Sequence, residues 1–308
     1  MTALRIGTRG SPLALRQANY VADRLRPLVA SRPVELVKVV TAGDQVRDVP
    51  LPQLGGEGVF TREIQRVLLG GDVDIAVHSL KDLPTVPVDG LVLAAVPPRA
   101  PVADVLIAPE WRTFDQLPQG AIVATSSLRR SAQVRHRRPD LQIVPIRGNV
   151  ETRLRRREEM QFAGLILAEA GLERLGLARL ITERLDTAWM LPAVGQGALG
   201  VECRAVDENT RTLLCQLDDE ATRQAATAER AMLRALGGGC QVPIGALAVR
   251  QEQDLVLRGA VLSPDGSRRI EASMKGPAVA AEMLGCHLAE QLLCQGAAQL
   301  LGVAGRVV

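Results

Sequence analysis

Aromatic residues are scarce, with three Phe, two Trp and one Tyr making up 2% of the chain. That removes the stacking platforms on which single-stranded nucleic acid is usually held. The three histidines, His78, His136 and His287, lie far apart, and the five cysteines, Cys203, Cys215, Cys240, Cys286 and Cys294, form no CxxC pair. These counts argue against a zinc cluster or a disulfide scaffold, and no metal site is expected. No apolar run approaches the roughly 20 residues of a membrane-spanning helix. The opening residues Met1-Thr2-Ala3-Leu4-Arg5-Ile6 enter a strand pattern without the basic and apolar regions of a secretory signal. A cytoplasmic location without membrane association is therefore expected. Gly55 to Gly58 lacks the GK[ST] ending of a nucleotide-binding P-loop. Lysine is nearly absent too: only Lys38, Lys81 and Lys275 stand among 37 basic residues, and the rest are arginine, whose planar donor fork suits carboxylates and phosphates.

What is present is material for folded domains. The 308 residues are 47% hydrophobic and 23% charged, with a formal net charge of +3. That is enough for real cores, and the length suggests about two domains. Strand and helix patterns alternate. Leu4 to Gly7 reads as a strand, Ser11-Pro12 as a helix start and Leu13 to Leu28 as the helix. Glu35 to Val40, Asp74 to Val77 and Leu91 to Val96 read as strands, and Phe60 to Leu69 as a helix after a long glycine-containing loop from Thr41 to Gly58. After the crossing segment Pro97 to Pro101 the alternation resumes, with strands at Asp104 to Ile107, Ala121 to Ala124, Leu141 to Ile146 and Gly164 to Ala168. Helices are expected at Leu128 to Arg137 and Val150 to Met160. The pattern predicts α/β units with mostly parallel sheets. From Asp218 a long helix to Leu236, three strands and a last helix from Pro277 to Cys294 predict a small α+β domain.

One internal echo stands out. Ile6-Gly7-Thr8-Arg9-Gly10-Ser11 and Val123-Ala124-Thr125-Ser126-Ser127-Leu128 each place Thr and Ser between a strand and a helix. Such turns either form an anion site from exposed N–H groups and hydroxyls or merely cap the helices. Charge is also local. Thr125 to Arg157 holds ten arginines against Asp140 and Glu151. Arg129 and Arg130 sit in a first helical turn, where the helix dipole disfavours cations, so an anion there would be stabilising. Arg147, Arg153 and their neighbours predict a pocket for several carboxylates or phosphates. Arg135 to Arg138 reads as solvated surface. The low net charge and the missing aromatics disfavour a nucleic-acid partner.

Two reactive candidates emerge. Lys81-Asp82 follows a buried strand, where α/β sites gather, and Asp82 could stabilise a cation and relay protons; a solvated loop pair is the plainer alternative. His78 reads either as a base or as a hydrogen-bonded structural residue. Cys240 ends the run Gly237-Gly238-Gly239 and is expected to be exposed, as a nucleophile or a point of covalent attachment. Cys203 and Cys215 read as core, and Cys286 and Cys294 as packing residues of the last helix.

Six stretches carry a resemblance that spans almost the whole chain: IGTRGSPLALRQA (6–18), DIAVHSLKDLP (74–84), ATSSLRRSAQ (124–133), IRGNVETRL (146–154), LPAVGQGALGVE (191–202) and GGGCQVPIGA (237–246). They resemble the hydroxymethylbilane synthase, or porphobilinogen deaminase, family. The resemblance implies two α/β domains arranged like periplasmic binding proteins with a cleft between them, plus a small α+β C-terminal domain. It implies domain 1 at 1–97 completed by 194–217, domain 2 at 98–193 and domain 3 at 218–308. It implies a dipyrromethane cofactor covalently attached to Cys240. The implied reaction is the head-to-tail condensation of four porphobilinogen molecules on that primer, with loss of ammonia and hydrolytic release of a linear tetrapyrrole. The partners would be porphobilinogen and the growing polypyrrole chain, and a monomer is expected. By the same resemblance Asp82, Arg9 and Lys81 are catalytic. Ser11, Lys81, Thr125, Ser127, Arg129 and Arg130 bind the cofactor, and Arg9, Arg147, Arg153 and Gln196 bind substrate carboxylates. Many relatives read Gly-Gly-Lys-Gly where this chain has Gly55-Gly56-Glu57-Gly58, so a lysine contact there does not carry over. The competing reading is a non-catalytic two-lobed receptor for a polyanionic small molecule.

Overall fold

The computed structural model describes residues 2–29, 32–41, 58–238 and 242–301. Its strands are β1 (Leu4–Arg9), β2 (Val34–Val39), β3 (Ile75–Ser79), β4 (Leu91–Ala95), β5 (Asp104–Ile107), β6 (Ile122–Ala124) and β7 (Gln142–Val144). They continue as β8 (Gly164–Ala168), β9 (Glu183–Arg184), β10 (Leu199–Arg204), β11 (Ile244–Gln251), β12 (Asp254–Leu262) and β13 (Arg269–Pro277). The helices are α1 (Pro12–Leu25), α2 (Arg62–Leu69), α3 (Leu128–Arg137), α4 (Val150–Glu159), α5 (Glu169–Arg174), α6 (Glu208–Cys215), α7 (Glu220–Ala235), α8 (Ala281–Cys294) and α9 (Ala297–Leu301).

The described residues divide into two compact units, Met1–Ala100 with Gly197–Arg223, and Pro101–Gln196 with Gln224–Val308. The first holds a five-stranded sheet in the order β2-β1-β3-β10-β4. β1 pairs parallel with β2 and β3, whereas β10 enters antiparallel between β3 and β4. One face of this sheet packs on the stripe Ala18, Val21, Ala22 and Leu25 of α1 and on Leu214 of α6; the other packs on Ile64 and Leu68 of α2. That stripe has helical spacing, which is why α1 lies flat on the sheet. Ser11 caps α1 by accepting a hydrogen bond from the Ala14 N–H (3.3 Å), and Pro12 occupies the first turn. The helix stops at Leu25 rather than Leu28, and Arg26–Leu28 tightens into a 3-10 turn. Pro27 has no N–H to continue the α-helical ladder.

The second unit contains a sheet of the same plan, β7-β6-β8-β5-β9, again with one antiparallel strand, β5, between its third and fifth members. α3 packs on one face through Val134, and α4 and α5 pack on the other through Leu154 and Leu172. The internal echo thus has a structural basis. β1 and β6 occupy the same place in their sheets, and each runs through a Ser-capped turn into a helix.

β11, β12 and β13 form an antiparallel meander with full register, and α7 and α8 cover one face of it. Packing there is close: a Cβ on Gly285 would lie 2.3 Å from the Ala228 carbonyl, and one on Gly259 would lie 2.4 Å from Met232 Sδ. Leu247, Ala260 and Leu262 on the sheet's other face meet Ala132 and Leu191. The expected α/β class with a small α+β C-terminal domain is the observed one.

Three local expectations are corrected. The Arg135–Arg138 run is not simply solvated. Arg135 donates to the Pro264 carbonyl (3.0 Å), His136 Nδ1 contacts the Gly266 carbonyl (2.8 Å) and Arg138 pairs with Asp140 (2.7 Å). Gly266, with φ +77°, gives the β12–β13 hairpin the tight turn that lets it dock there. Cys215 and Cys294 are exposed rather than core, because the last turns of α6 and α8 direct them away from the packed stripe; Cys203 is buried as expected. Burial pushes the Cys203 thiol up to about 11, which makes it inert.

Candidate active site

The C-terminal ends of β1 and β3 lie side by side, the place where open α/β sheets present their ligands. Arg9 ends β1, and β3 runs into a 3-10 turn, Leu80–Asp82. Leu80 anchors this turn: its side chain is buried and its N–H donates to the Ala198 carbonyl at 3.0 Å. Lys81 and Asp82 are left half-buried. Arg9, Gln17, Phe60, Thr61, His78, Ser79 and Asp82 line one cavity, with Ala14, Ile64 and Val77 as its apolar part.

Polar contacts orient these groups. The Arg9 guanidinium carbon lies 4.1 Å from the Phe60 ring centroid, a cation–π contact. Gln17 Nε2 donates to Ser79 Oγ at 2.8 Å, so the serine hydroxyl acts there as acceptor and keeps its own proton to donate. The structure therefore brings Arg9 and Asp82 together, with Lys81 on the same turn. Ser11 instead has its hydroxyl on the α1 cap. Phe60, Gln17 and Ser79 were not singled out by sequence reasoning. Phe60 had a weak signal, as one of three phenylalanines and next to a glycine-rich loop.

In the second unit, the turn after β6 holds Thr125, Ser126 and Ser127. Ser127 caps α3 by accepting from the Arg130 N–H (3.4 Å). Ser126 Oγ donates to the Ile146 carbonyl (2.6 Å) and accepts from its N–H (2.9 Å), tying this turn to the segment leading to Arg147. Arg129 and Arg130 are 4% and 6% exposed and converge on Asp104, which is fully buried at the start of β5. Arg129 Nη1 lies 2.6 Å from Asp104 Oδ2, and Arg130 Nη2 lies 2.7 Å from Oδ1. Arg129 also donates to the Leu191 carbonyl (2.6 Å), and Arg130 to the Ile166 carbonyl (3.0 Å). Burial pushes the Asp104 carboxyl up, but the charges and hydrogen bonds of Arg129 and Arg130 outweigh it and hold the group well below the usual carboxylate range. Two cations on one anion leave this cluster net positive, and the first anion at this helix start is the protein's own.

Gln196 belongs to the same cluster. It is fully buried, and its amide nitrogen donates to the Val102 carbonyl (2.8 Å) and to Asp104 Oδ1 (2.9 Å). Both amide hydrogens are engaged there, which ties Gln196 to the arginine pair. Arg147 and Arg153 flank the start of α4. Asn149 caps that helix (2.8 Å from the Thr152 N–H), Arg153 Nε donates to the Gly148 carbonyl (2.8 Å), and Arg156 Nη1 donates to the Arg147 carbonyl (3.2 Å). Gly148 has φ +113°, and a Cβ there would lie 2.5 Å from Thr152, so only glycine fits the turn that follows Arg147. Cys240 and Glu57 lie outside the described residues.

Comparisons with known proteins agree in direction. Residues 4–212 match the family model "Porphobilinogen deaminase, dipyromethane cofactor binding domain", and residues 223–294 match "Porphobilinogen deaminase, C-terminal domain". A porphobilinogen deaminase of Syntrophotalea carbinolica is 51% identical over 97% of this chain and 95% of its own length. One from Brevibacillus brevis is 49% identical over 96% of each. Among solved structures, a periplasmic substrate-binding protein of an ABC transporter from Coxiella burnetii is similar at 14% identity and a TM-score of 0.44, covering 74% of this chain and 96% of that one. On the two family models and on identities near one half over almost the full length, this chain belongs to the porphobilinogen deaminase family.

Proposed function

We propose that this chain is a transferase that condenses four porphobilinogen molecules head to tail, with loss of ammonia, and releases a linear tetrapyrrole by hydrolysis. The observation that carries the reading is the meeting of Arg9 and Asp82 in one cavity at adjacent strand ends. The donor set fits a dipyrromethane and its acidic side chains: guanidinium and hydroxyl donors stand around one half-buried carboxylate, Asp82, suited to pyrrole N–H groups. When bound, the dipyrromethane supplies the nucleophilic pyrrole carbon that primes the chain, and we assign its attachment to Cys240.

The residues then divide the work. Arg9, oriented by Phe60, and Lys81 hold carboxylates of the incoming porphobilinogen. The Asp82 carboxylate accepts the substrate's pyrrole N–H and stabilises the positive charge that develops on that ring as its aminomethyl nitrogen departs. After carbon–carbon bond formation, a proton must leave the attacked ring position, and Asp82 is the base within the cavity. Thr125, Ser127, Arg129, Arg130, Arg147 and Arg153 supply further donors for the carboxylates of a lengthening polyanion. Their net positive charge suits that task, and Asp104 limits it. Three domains with the boundaries 1–97 plus 194–217, 98–193 and 218–308 remain part of this proposal, as do a cytoplasmic monomer and the absence of nucleic-acid and membrane partners. Among the described residues no helix is long and apolar enough to cross a membrane. Membership of a deaminase family favours this reading over a non-catalytic receptor.

The test is the intact mass of the denatured protein, followed by mapping of the modified peptide. An excess of two linked pyrrole units on Cys240 is expected. An unmodified chain that also gains no mass on incubation with porphobilinogen or preformed hydroxymethylbilane would overturn the proposal.

A further inference from the structure

A buried carboxylate lies behind the Asp82 cavity and has no part in the chemistry above. Glu202, 4% exposed, sits on β10 opposite Ala76 of β3, at a bulge where the register against β4 shifts between Val201 and Glu202. Its reach is diagonal, to His78 two residues further along β3. Glu202 Oε2 lies 3.1 Å from His78 Nε2, at an angle poor for a hydrogen bond, so the attraction is chiefly electrostatic. Both Glu202 oxygens also accept from Gln65 Nε2, at 3.3 and 3.0 Å. His78 lines the cavity and precedes Ser79. Gln65 belongs to α2, and the turn leading into α2 carries Phe60 and Thr61. One carboxylate thus joins two walls of the cavity that come from different elements.

We propose that Glu202 is a positioning residue for this site: it holds the His78 imidazole with a proton on Nε2 and locks the His78–Asp82 strand end to the helix behind Phe60. A bare Nε2 lone pair facing a carboxylate oxygen at 3.1 Å in a buried space would be repulsive. A proton on Nε2 turns the contact into an attraction. The proposal rests on the catalytic reading of Asp82 only for its effect on turnover, because the state of the imidazole can be observed directly.

The experiment is long-range 1H–15N NMR on the cofactor-loaded protein with 15N-labelled histidine, paired with steady-state turnover of porphobilinogen. His78→Gln assigns the resonance among the three histidines. Wild type should show Nε2–H at His78. Glu202→Leu removes the acceptor for both partners. It should lose that signature and lower kcat by about 10²-fold, the effect of a slight misplacement of reacting groups, with a much smaller change in KM. Glu202→Gln can present its oxygen to His78 and its NH2 to a turned Gln65 amide. It should keep Nε2–H and stay within about fivefold of wild-type kcat, the scale of one altered hydrogen bond. If Glu202→Leu does not fold, Gln65→Leu takes its place and should keep Nε2–H while lowering kcat. The proposal is overturned if Glu202→Leu retains the signature, if its folded fraction works at wild-type kcat, or if Gln65→Leu leaves kcat unchanged. A wild-type protein that does not turn over porphobilinogen would sink the functional reading instead, and the tautomer comparison would then decide this one alone.

Discussion

The two five-stranded sheets share one strand order yet treat a buried acid in opposite ways. In each, the inserted antiparallel strand carries a buried carboxylate, Glu202 on β10 and Asp104 on β5. Glu202 faces a histidine and an amide. Asp104 faces two guanidinium groups and an amide. The first acid is met by an imidazole and an amide, and the cavity beside it is lined by one carboxylate, Asp82. The second is over-supplied with positive charge. A common architecture thus meets its central acid with different side chains, and the roles proposed for the two units, proton handling and anion binding, follow that difference.

The largest effect that would break this contrast is on chemistry in the first unit. Asp82→Ala should lower kcat by at least about 10²-fold, the usual contribution of a positioned acid or base. Folding should be retained, since the Leu80 anchor of the turn is untouched. Steady-state assay beside circular dichroism checks this, and normal turnover would remove Asp82 from its role.

The second comparison concerns stability. Asp104→Asn leaves two buried guanidinium groups without a counter-charge and should cost about 3–5 kcal/mol, measured by urea denaturation at neutral pH. The pH dependence follows from the depressed carboxyl. A group whose folded pKa lies below its unfolded value of about 3.9 contributes fully above that value and loses its contribution as pH falls towards the folded one. The wild-type urea midpoint should therefore drop on acidification below about pH 4, and the Asn variant should show a shallower drop. Equal slopes would mean that Asp104 does not carry the acid dependence of this unit.

The smallest effect sharpens the shared plan. Ser11→Ala and Ser127→Ala each remove one helix cap and should each cost about 1 kcal/mol. Similar losses in thermal denaturation would mean the two turns are equivalent as caps. A Ser127→Ala variant that also loses affinity for porphobilinogen, where Ser11→Ala does not, would assign the second turn the ligand role expected of both.

Much of the fold was legible. The strands of both sheets follow from short apolar runs, and α1, α3 and α4 follow from Ser11, Ser127 and Asn149 standing before helical stripes. These signals act over a few residues, so they survive translation into sequence patterns. The strand-end motif with Asp82 was legible for the same reason. The protein's own partner of Gln196 and the arginine pair was not legible: their residue types suit anions, and one anion they meet is Asp104, brought to them by the insertion of β5 beside β8. The Arg135–Arg138 run lies at the surface as read, but its contacts were not legible because its partners lie on the β12–β13 hairpin and at Asp140.

By itself the sequence determined the α/β class, the Ser-capped turns and the six motifs that mark the family, because each is written in neighbouring residues. Only the tertiary structure decided which charges meet. Gln65 and Glu202 are 137 residues apart, and nothing local predicts their contact. It exists because β10 returns from late in the chain to lie antiparallel against β3, and a β-sheet pairs strands by position in space, with no regard for their distance along the chain.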